Sequence, residues 1–185
     1  PGRETFEAST PLLGKPAISD IAAAFTMACA LGAQPEFVLG AIAHLKPVKN
    51  RLEIAKENEI TYLNDAYNSN PEGFASALEV LSAIPAKKRI LMTPGMIELA
   101  GQLQGEHKRI GRKAAQVCDS AIIVGDTNRK SLTDGLRSGG MTSDKIVQVE
   151  NRDRAFQELR ERLQAGDAVL IENDLPDLYE VQETF

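Results

Sequence analysis

Five short runs of β-prone residues, at 60–63, 89–92, 121–124, 146–149 and 168–171, alternate with helical stretches near 72–83, 106–118, 128–137 and 152–164. Strands separated by helices of this length cannot be closed as hairpins. Each connection has to cross over, which implies βαβ units, parallel pairing and right-handed crossovers. The expected body is therefore an α/β domain, doubly wound around a mostly parallel, Rossmann-like sheet. Ligands of such sheets bind beyond the carboxyl ends of the strands, so function is sought in the loops at 64–73, 93–106, 125–128, 150–152 and 172–177. Just before this pattern, residues 51–56 and 59–64 read as two extended segments turning at Glu57-Asn58, a hairpin.

The first 48 residues follow a different pattern. Pro1, Gly2, Pro11, Gly14 and Pro16 mark a strand tail and loop. Ser19 is placed to cap a helix running to about Leu31, with Gly32 as its stop. Pro35 suits the first residue of a second helix, which carries Phe37, Leu39, Ile42 and Leu45 and ends before Pro47. Two helices with no sheet of their own to cover are assigned to the end of a preceding domain, residues 1–48, and the α/β domain to residues 49–185. The chain opens on Pro1 rather than methionine, so it is expected to be part of something longer.

Composition narrows the class. A hydrophobic fraction of 43% in 185 residues supports a packed core. Acids outnumber bases by 26 to 21, interspersed, which argues against a nucleic-acid or anionic-membrane surface. The longest apolar stretch, 21–33, contains Thr26 and Gly32 and falls short of the roughly 20 residues a spanning helix needs. No basic lead-in makes it a signal peptide. Cys29 and Cys118, each within an apolar segment and without ligand spacing, read as two buried thiols. A cytoplasmic, monomeric protein is expected. An independent dinucleotide enzyme is set aside, because no Gly-x-Gly-x-x-Gly follows the first strand of the α/β pattern.

The segment Asn64-Asp65-Ala66-Tyr67-Asn68-Ser69-Asn70-Pro71-Glu72-Gly73 gathers an acid, a phenol and several amides before a helix. Asparagine offers both an acceptor and a two-hydrogen donor, which suits a polar ligand held in one orientation. Asn70 and Pro71 also suit the N-cap and first residue of that helix with no ligand at all. The two readings are compatible, since an open helix N-terminus is itself an anion site.

Asp65-Ala66-Tyr67-Asn68-Ser69-Asn70-Pro71 resembles the Asp-x-Tyr-Asn-x-Asn-Pro signature of the Mur ligases, in the branch that joins D-alanyl-D-alanine to UDP-N-acetylmuramoyl-tripeptide. Other elements follow in the family's order. Val48-Lys49-Asn50-Arg51-Leu52-Glu53 is similar to its Pro-x-x-Arg-x-Glu strand, and Thr93-Pro94-Gly95-Met96-Ile97-Glu98-Leu99 to its loop after the second strand. His107 with Gly111 resembles its His-x-x-x-Gly, and Leu12-Leu13-Gly14-Lys15 the end of its central ATPase domain.

The resemblance implies the carboxyl-terminal part of a ligase that uses ATP and Mg2+ to activate a carboxylate as an acyl phosphate, which an amine then attacks. Its partners would be a UDP-MurNAc-peptide and an amine such as D-Ala-D-Ala, in peptidoglycan synthesis. It assigns nucleotide contacts to Arg51, Asp65 and Asn68, and places Tyr67, Asn68, Asn70, Glu98, His107 and Asn173 about the amine substrate. The family's Gly-x-x-Gly-Lys-Thr/Ser phosphate loop does not occur here, so this chain alone is not expected to ligate. Two departures stand out. Pro16-Ala17-Ile18-Ser19-Asp20 replaces a His-Asn-x-x-Asn that contacts adenine. Glu172-Asn173-Asp174-Leu175-Pro176-Asp177 replaces a Lys-Gly/Ala-Ser that contacts the acceptor, and acids there would favour an amine over a dipeptide's carboxylate. These departures motivate the alternative, a ligase-inactive relative serving as a binding or scaffolding module.

Overall fold

The computed structural model describes residues 4–96 and 103–173. In chain order the elements are α1 (Gly14–Ala30), α2 (Pro35–Ala43), β1 (Glu53–Glu57), β2 (Ile60–Asp65), α3 (Pro71–Ala83), β3 (Arg89–Thr93), α4 (Leu103–Val117), β4 (Ser120–Val124), α5 (Arg129–Ser138), β5 (Ile146–Val149), α6 (Arg152–Arg162) and β6 (Ala168–Glu172). The strands form one sheet in the order β1-β2-β6-β3-β4-β5. Only the β1–β2 pair is antiparallel among the described strands. The mostly parallel α/β sheet expected from the alternation is present.

Successive crossovers carry the chain from β2 through β3 and β4 to β5 with α3, α4 and α5 on one face. The return from β5 runs through α6 on the other face and inserts β6 between β2 and β3. Strand side chains alternate between these layers. Leu63, Leu91, Ile123 and Leu170 pack under α3, α4 and α5, whereas Ile90, Met92, Ile122, Val124, Val169 and Ile171 pack under α6. Each of the five β6 residues is buried, as a strand covered on both faces must be. On α3, Phe74, Ala77, Leu78 and Leu81 recur at helical spacing and are fully buried.

The hairpin turn lies one residue later than expected. Asn58 and Glu59 occupy its two central positions with φ of 49° and 62°, the doubly left-handed pair that suits the twist of two joined strands. Ser19 is not a cap. α1 starts earlier, at Gly14, after an extended Leu13 with no cap from its own side chain; the Lys15 N–H donates instead to Ser76 Oγ on α3 at 3.1 Å. Ser19 donates its hydroxyl back to the Lys15 carbonyl. Cys118 is buried, and burial pushes its thiol up to about 12, but Cys29 is only half-buried. No residue of α1 is buried, and Ile18, Met27, Leu31, Phe37 and Val48 leave most of their surface open. Among the described residues no helix is long and apolar enough to cross a membrane.

α4 and α5 cross closely because glycine faces backbone. A Cβ on Gly135 would sit 2.6 Å from the Lys108 carbonyl, and one on Gly111 2.8 Å from the Leu132 carbonyl. Gly135→Ala is therefore expected to lower stability by about 1–3 kcal/mol through overpacking. Gly105→Ala, on the open side of α4 with nothing within 4 Å, should match the parent or exceed it by up to about 1 kcal/mol through helix propensity. Urea denaturation of the two variants measures both.

Candidate functional site

The register of β6 gathers the polar loops. Asp65, at the end of β2, pairs with Glu172, at the end of β6, and Met92 on β3 pairs with Ile171. The carboxyl ends of β2, β6 and β3 are thereby level, and the loops at 64–73, 93–96 and 172–173 open on one crevice.

On one side, the strand entrance folds back over the end of β2. Asn50 and Leu52 take left-handed φ values of 60° and 48°, which turns the chain tightly enough for Tyr67 N–H to donate to the Asn50 carbonyl at 3.2 Å. Asn64 Nδ2 donates to Asn50 Oδ1 at 2.8 Å, and Leu52 N–H donates to Asp65 Oδ1 at 3.0 Å. This fold sets the Arg51 guanidinium 3.9 Å above the Tyr67 ring, a cation–π stack on an open surface. Tyr67 is 60% exposed. Partial burial raises the pKa of the Asp65 carboxyl, opposed by the Leu52 N–H and the Arg51 charge.

The loop then enters α3. Asn68 Oδ1 accepts the Ser69 N–H at 2.7 Å, and Asn70 Oδ1 accepts the Gly73 N–H at 2.9 Å as the N-cap, with Pro71 as the first helical residue. Asn68 and Asn70 are exposed, whereas Ser69 between them is buried and donates its hydroxyl to Glu172 Oε1 at 2.6 Å.

The 94–96 segment after β3 is held by the side chains of Thr93, His107, Asn128 and Asn173. Thr93 Oγ1 accepts Gly95 N–H at 2.9 Å and His107 Nε2 accepts Met96 N–H at 2.8 Å. Asn128 Nδ2 donates to the Pro94 and Met96 carbonyls at 3.0 Å each, and Asn173 Nδ2 to the Gly95 carbonyl. Gly95 has a φ of 89°, and a Cβ there would meet His107 Nε2 at 2.7 Å. His107 is fully buried with Nε2 as acceptor, so its place is behind the loop rather than in the crevice. Asn173 is also buried, with a left-handed φ of 54° and its N–H on the Asp65 carbonyl.

The structure thus brings Arg51, Asp65, Tyr67, Asn68 and Asn70 to one rim and sets His107 and Asn173 beneath the neighbouring loop. Glu98 lies outside the described residues. The expectation that Glu172 presents its charge to an acceptor is corrected. Its side chain is 1% exposed and turned onto Ser69, and burial beside Asp65 drives its pKa well above the ordinary carboxylate range. Asp174 and Asp177 lie outside the described residues. Sequence reasoning did not single out Asn128. Its signal was available: an asparagine between a strand end and a helix, as at Asn70.

Two concavities flank the crevice. Lys15, Pro16, Ser19 and Asp20 of α1 face Glu72 and Ser76 of α3 across a groove of about 470 Å³. Lys108, Thr127, Asn128, Lys130 and Ser131 line a smaller one of about 220 Å³ between α4 and α5. Among the described residues no group of three or more His, Cys, Asp or Glu side chains is placed to hold a metal ion.

The sequence matches the family described as Mur ligase, glutamate ligase domain, over residues 50–172. It is 32% identical over 170 residues to the UDP-N-acetylmuramoyl-tripeptide–D-alanyl-D-alanine ligase of Mycobacterium tuberculosis, covering 81% of this chain and 33% of that protein. Identity to the enzyme of the same name from Bacillus subtilis is 25%, over 86% of this chain and 35% of that one. The crystal structure of MurF ligase from Thermotoga maritima in complex with ADP superposes with a TM-score of 0.72 at 22% identity, covering 86% of this chain and 35% of that one. MurF from Acinetobacter baumannii superposes at 0.74 and 21% identity, over 90% and 36% of the two chains. At such identities the superpositions speak for the fold. The chain spans about a third of the length of the curated relatives it matches.

The contrast between interior and rim is testable. Asn128→Ala removes the Nδ2 donor from two buried carbonyls and is expected to lower stability by about 1–3 kcal/mol. Tyr67→Ala, at the open rim, should stay within about 0.5 kcal/mol of the parent. Chemical denaturation of this chain reads both.

Proposed function

The chain belongs to the Mur ligase family, through its glutamate ligase domain, and on that premise we propose that it is the carboxyl-terminal part of an ATP-dependent ligase that adds D-alanyl-D-alanine to a UDP-MurNAc-tripeptide in peptidoglycan synthesis. The observation that carries this reading is the open rim where Arg51 stacks on Tyr67 beside Asp65, at the level strand ends of β2, β6 and β3. Residues 1–48 are the end of the central ATP-binding domain in this proposal. The exposed Ile18, Met27, Leu31 and Phe37 of α1, α2 and their connection fit helices whose other contacts lie in that domain.

In the reaction, a substrate carboxylate oxygen attacks the γ-phosphorus of ATP and ADP leaves. The amine nitrogen then attacks the acyl carbon, losing its proton, and inorganic phosphate departs. This chain's contribution is binding and orientation. Arg51 offers a planar fork to phosphate or to a ring edge, and the Asp65 carboxylate accepts from ribose hydroxyls. Tyr67, Asn68 and Asn70 hold the nucleotide and amine against each other, because a positioned amine converts the second step into an effectively unimolecular one. Closure of the two domains excludes water from the acyl phosphate. Among the described residues no group of three or more His, Cys, Asp or Glu side chains is gathered for a metal ion, and in this proposal Mg2+ accompanies the ATP phosphates on the ATP-binding domain. The protein would act in the cytoplasm, as a monomer.

The second reading, a ligase-inactive relative, draws on Glu172, an acid where the resemblance places a lysine. One assay separates the two. The full-length protein should release phosphate only when UDP-MurNAc-tripeptide, ATP and D-Ala-D-Ala are all present; no release with any amine supports the binding module. In the active enzyme, Arg51→Ala and Asp65→Ala are each expected to raise the KM for ATP by roughly 10–100-fold, the weight of a hydrogen bond to a charged group. This chain alone should bind ATP very weakly, and tight, magnesium-dependent binding in a calorimetric titration would contradict the proposal.

A further inference from the structure

Glu172 stands where the resemblance expects a cation, yet it is buried and bonded to Ser69 within its own domain. We propose that Glu172 is a positioning residue, whose buried carboxyl fastens the Asp65–Asn70 loop to the end of the central strand through Ser69 and so sets the geometry of the rim. The proposal rests on the ligase reading for what the rim binds, but not for the fastening itself.

The geometry is specific. Ser69 and Glu172 are 5% and 1% exposed, and the hydroxyl donates to Oε1 at 2.6 Å. Ser69 lies between Asn68 and Asn70, so one contact fixes the backbone from which both exposed amides project. The next residue along β6 continues the fastening: Asn173 N–H donates to the Asp65 carbonyl at 3.1 Å, and Asn173 Nδ2 to the Gly95 carbonyl. Two consecutive residues thereby tie the loops of both flanking strands to β6.

The protonation state follows from the surroundings. Among the described residues Glu172 Oε2 is buried without a partner, a position in which an ionised oxygen would lose its hydration with nothing in return. Asp65 faces Glu172 from β2, with Arg51 beyond it; the Ser69 hydroxyl precedes α3; from β3 come Thr93 and the 94–96 backbone, with His107 of α4 behind, its Nε2 taken by Met96 N–H. Desolvation and the Asp65 charge both favour the neutral acid, against the opposing Ser69 bond. The folded state thus holds a proton that the unfolded chain gives up near 4.5. The stability Glu172 contributes is fully present below that value and is lost as pH rises through its raised pKa. Above it, a second negative charge beside Asp65 draws in water and loosens the loop.

Hydrogen exchange followed by mass spectrometry on the full-length protein, corrected for the intrinsic pH dependence of amides, tests this without requiring activity. Ser69→Ala and Glu172→Ala should each speed exchange of peptides covering 65–70 by tenfold or more at about pH 6. Glu172→Gln, the isostere of the neutral acid, should match the parent there and keep its protection on the alkaline side, where the parent loses it as the carboxyl ionises. Unchanged exchange in Ser69→Ala overturns the fastening. A parent that differs in protection from Glu172→Gln already at about pH 6 overturns the buried neutral acid. In the ligase assay the parent's kcat/KM should fall on the alkaline side and the glutamine variant's should not. Should the parent show no ligase activity, the exchange result still decides the proposal, and the failure belongs to the ligase reading alone.

Discussion

The parallel pairing of β2 with β6 is the constraint from which the crevice follows. β6 is the last described strand in the chain but sits between two earlier ones, so its register decides which residues meet at the strand ends. A slip of one residue would turn every side chain to the opposite face, moving Leu170 out from under α3 and Val169 out from under α6. Each large apolar side chain buried is worth about 1.5–3 kcal/mol, and both layers resist the slip together. The polar groups at Asp65, Glu172 and Asn173 are therefore held in place by an apolar core that they do not supply. That order of cause explains how a strand end tolerates oxygens on Glu172 and Asn173 that are buried with no partner among the described residues.

Features with a local cause were legible in the sequence. The helix–strand alternation gave the layers, and Asn70-Pro71 gave the start of α3, since a cap and its helix are neighbours in the chain. The start of α1 was not legible, because the hydroxyl that accepts the Lys15 N–H in its first turn comes from Ser76, 61 residues on. His107 could be picked by motif, but not that its ring would be spent on the Met96 N–H. Glu172 was misread for the same reason. A glutamate in sequence reads as solvated, and what buries this one is a pairing with a strand more than 100 residues earlier.

The rim and its supports divide the work between exposed and buried groups. Arg51, Tyr67, Asn68 and Asn70 remain open, and their placement depends on Asn50, Leu52, Ser69 and Asn173, whose bonds are turned inward. The same division holds at the junction with α1. Lys15 and Lys113 both pair with Glu79, at 2.8 and 2.7 Å, and hold its carboxyl down to about 2. These partners are substantially open to solvent, so the triad counts for orientation of α1 over α3 more than for stability. With no residue of α1 buried, that orientation rests on few contacts, among them the Lys15 N–H on Ser76 and the tight fit of Gly14 against Leu52 and Ser76.

Asn173 shows how the end of β6 came to serve the interior. Its φ of 54° lies in the left-handed region, which glycine enters freely and asparagine more readily than other side chains. The resemblance places glycine or alanine at this step, after a lysine. A glycine would satisfy the backbone and contribute nothing more. Asparagine accepts the same turn and adds an amide that holds the Gly95 carbonyl, so the backbone requirement and the tie to β3 are met by one residue. Glutamate in the preceding position makes the matching tie to the β2 loop through Ser69. A lysine there would carry a charge that the buried space beside Ser69 could not solvate, and its ammonium would have to leave for the crevice. Glutamate at this position thus makes a strand end that braces its two neighbours.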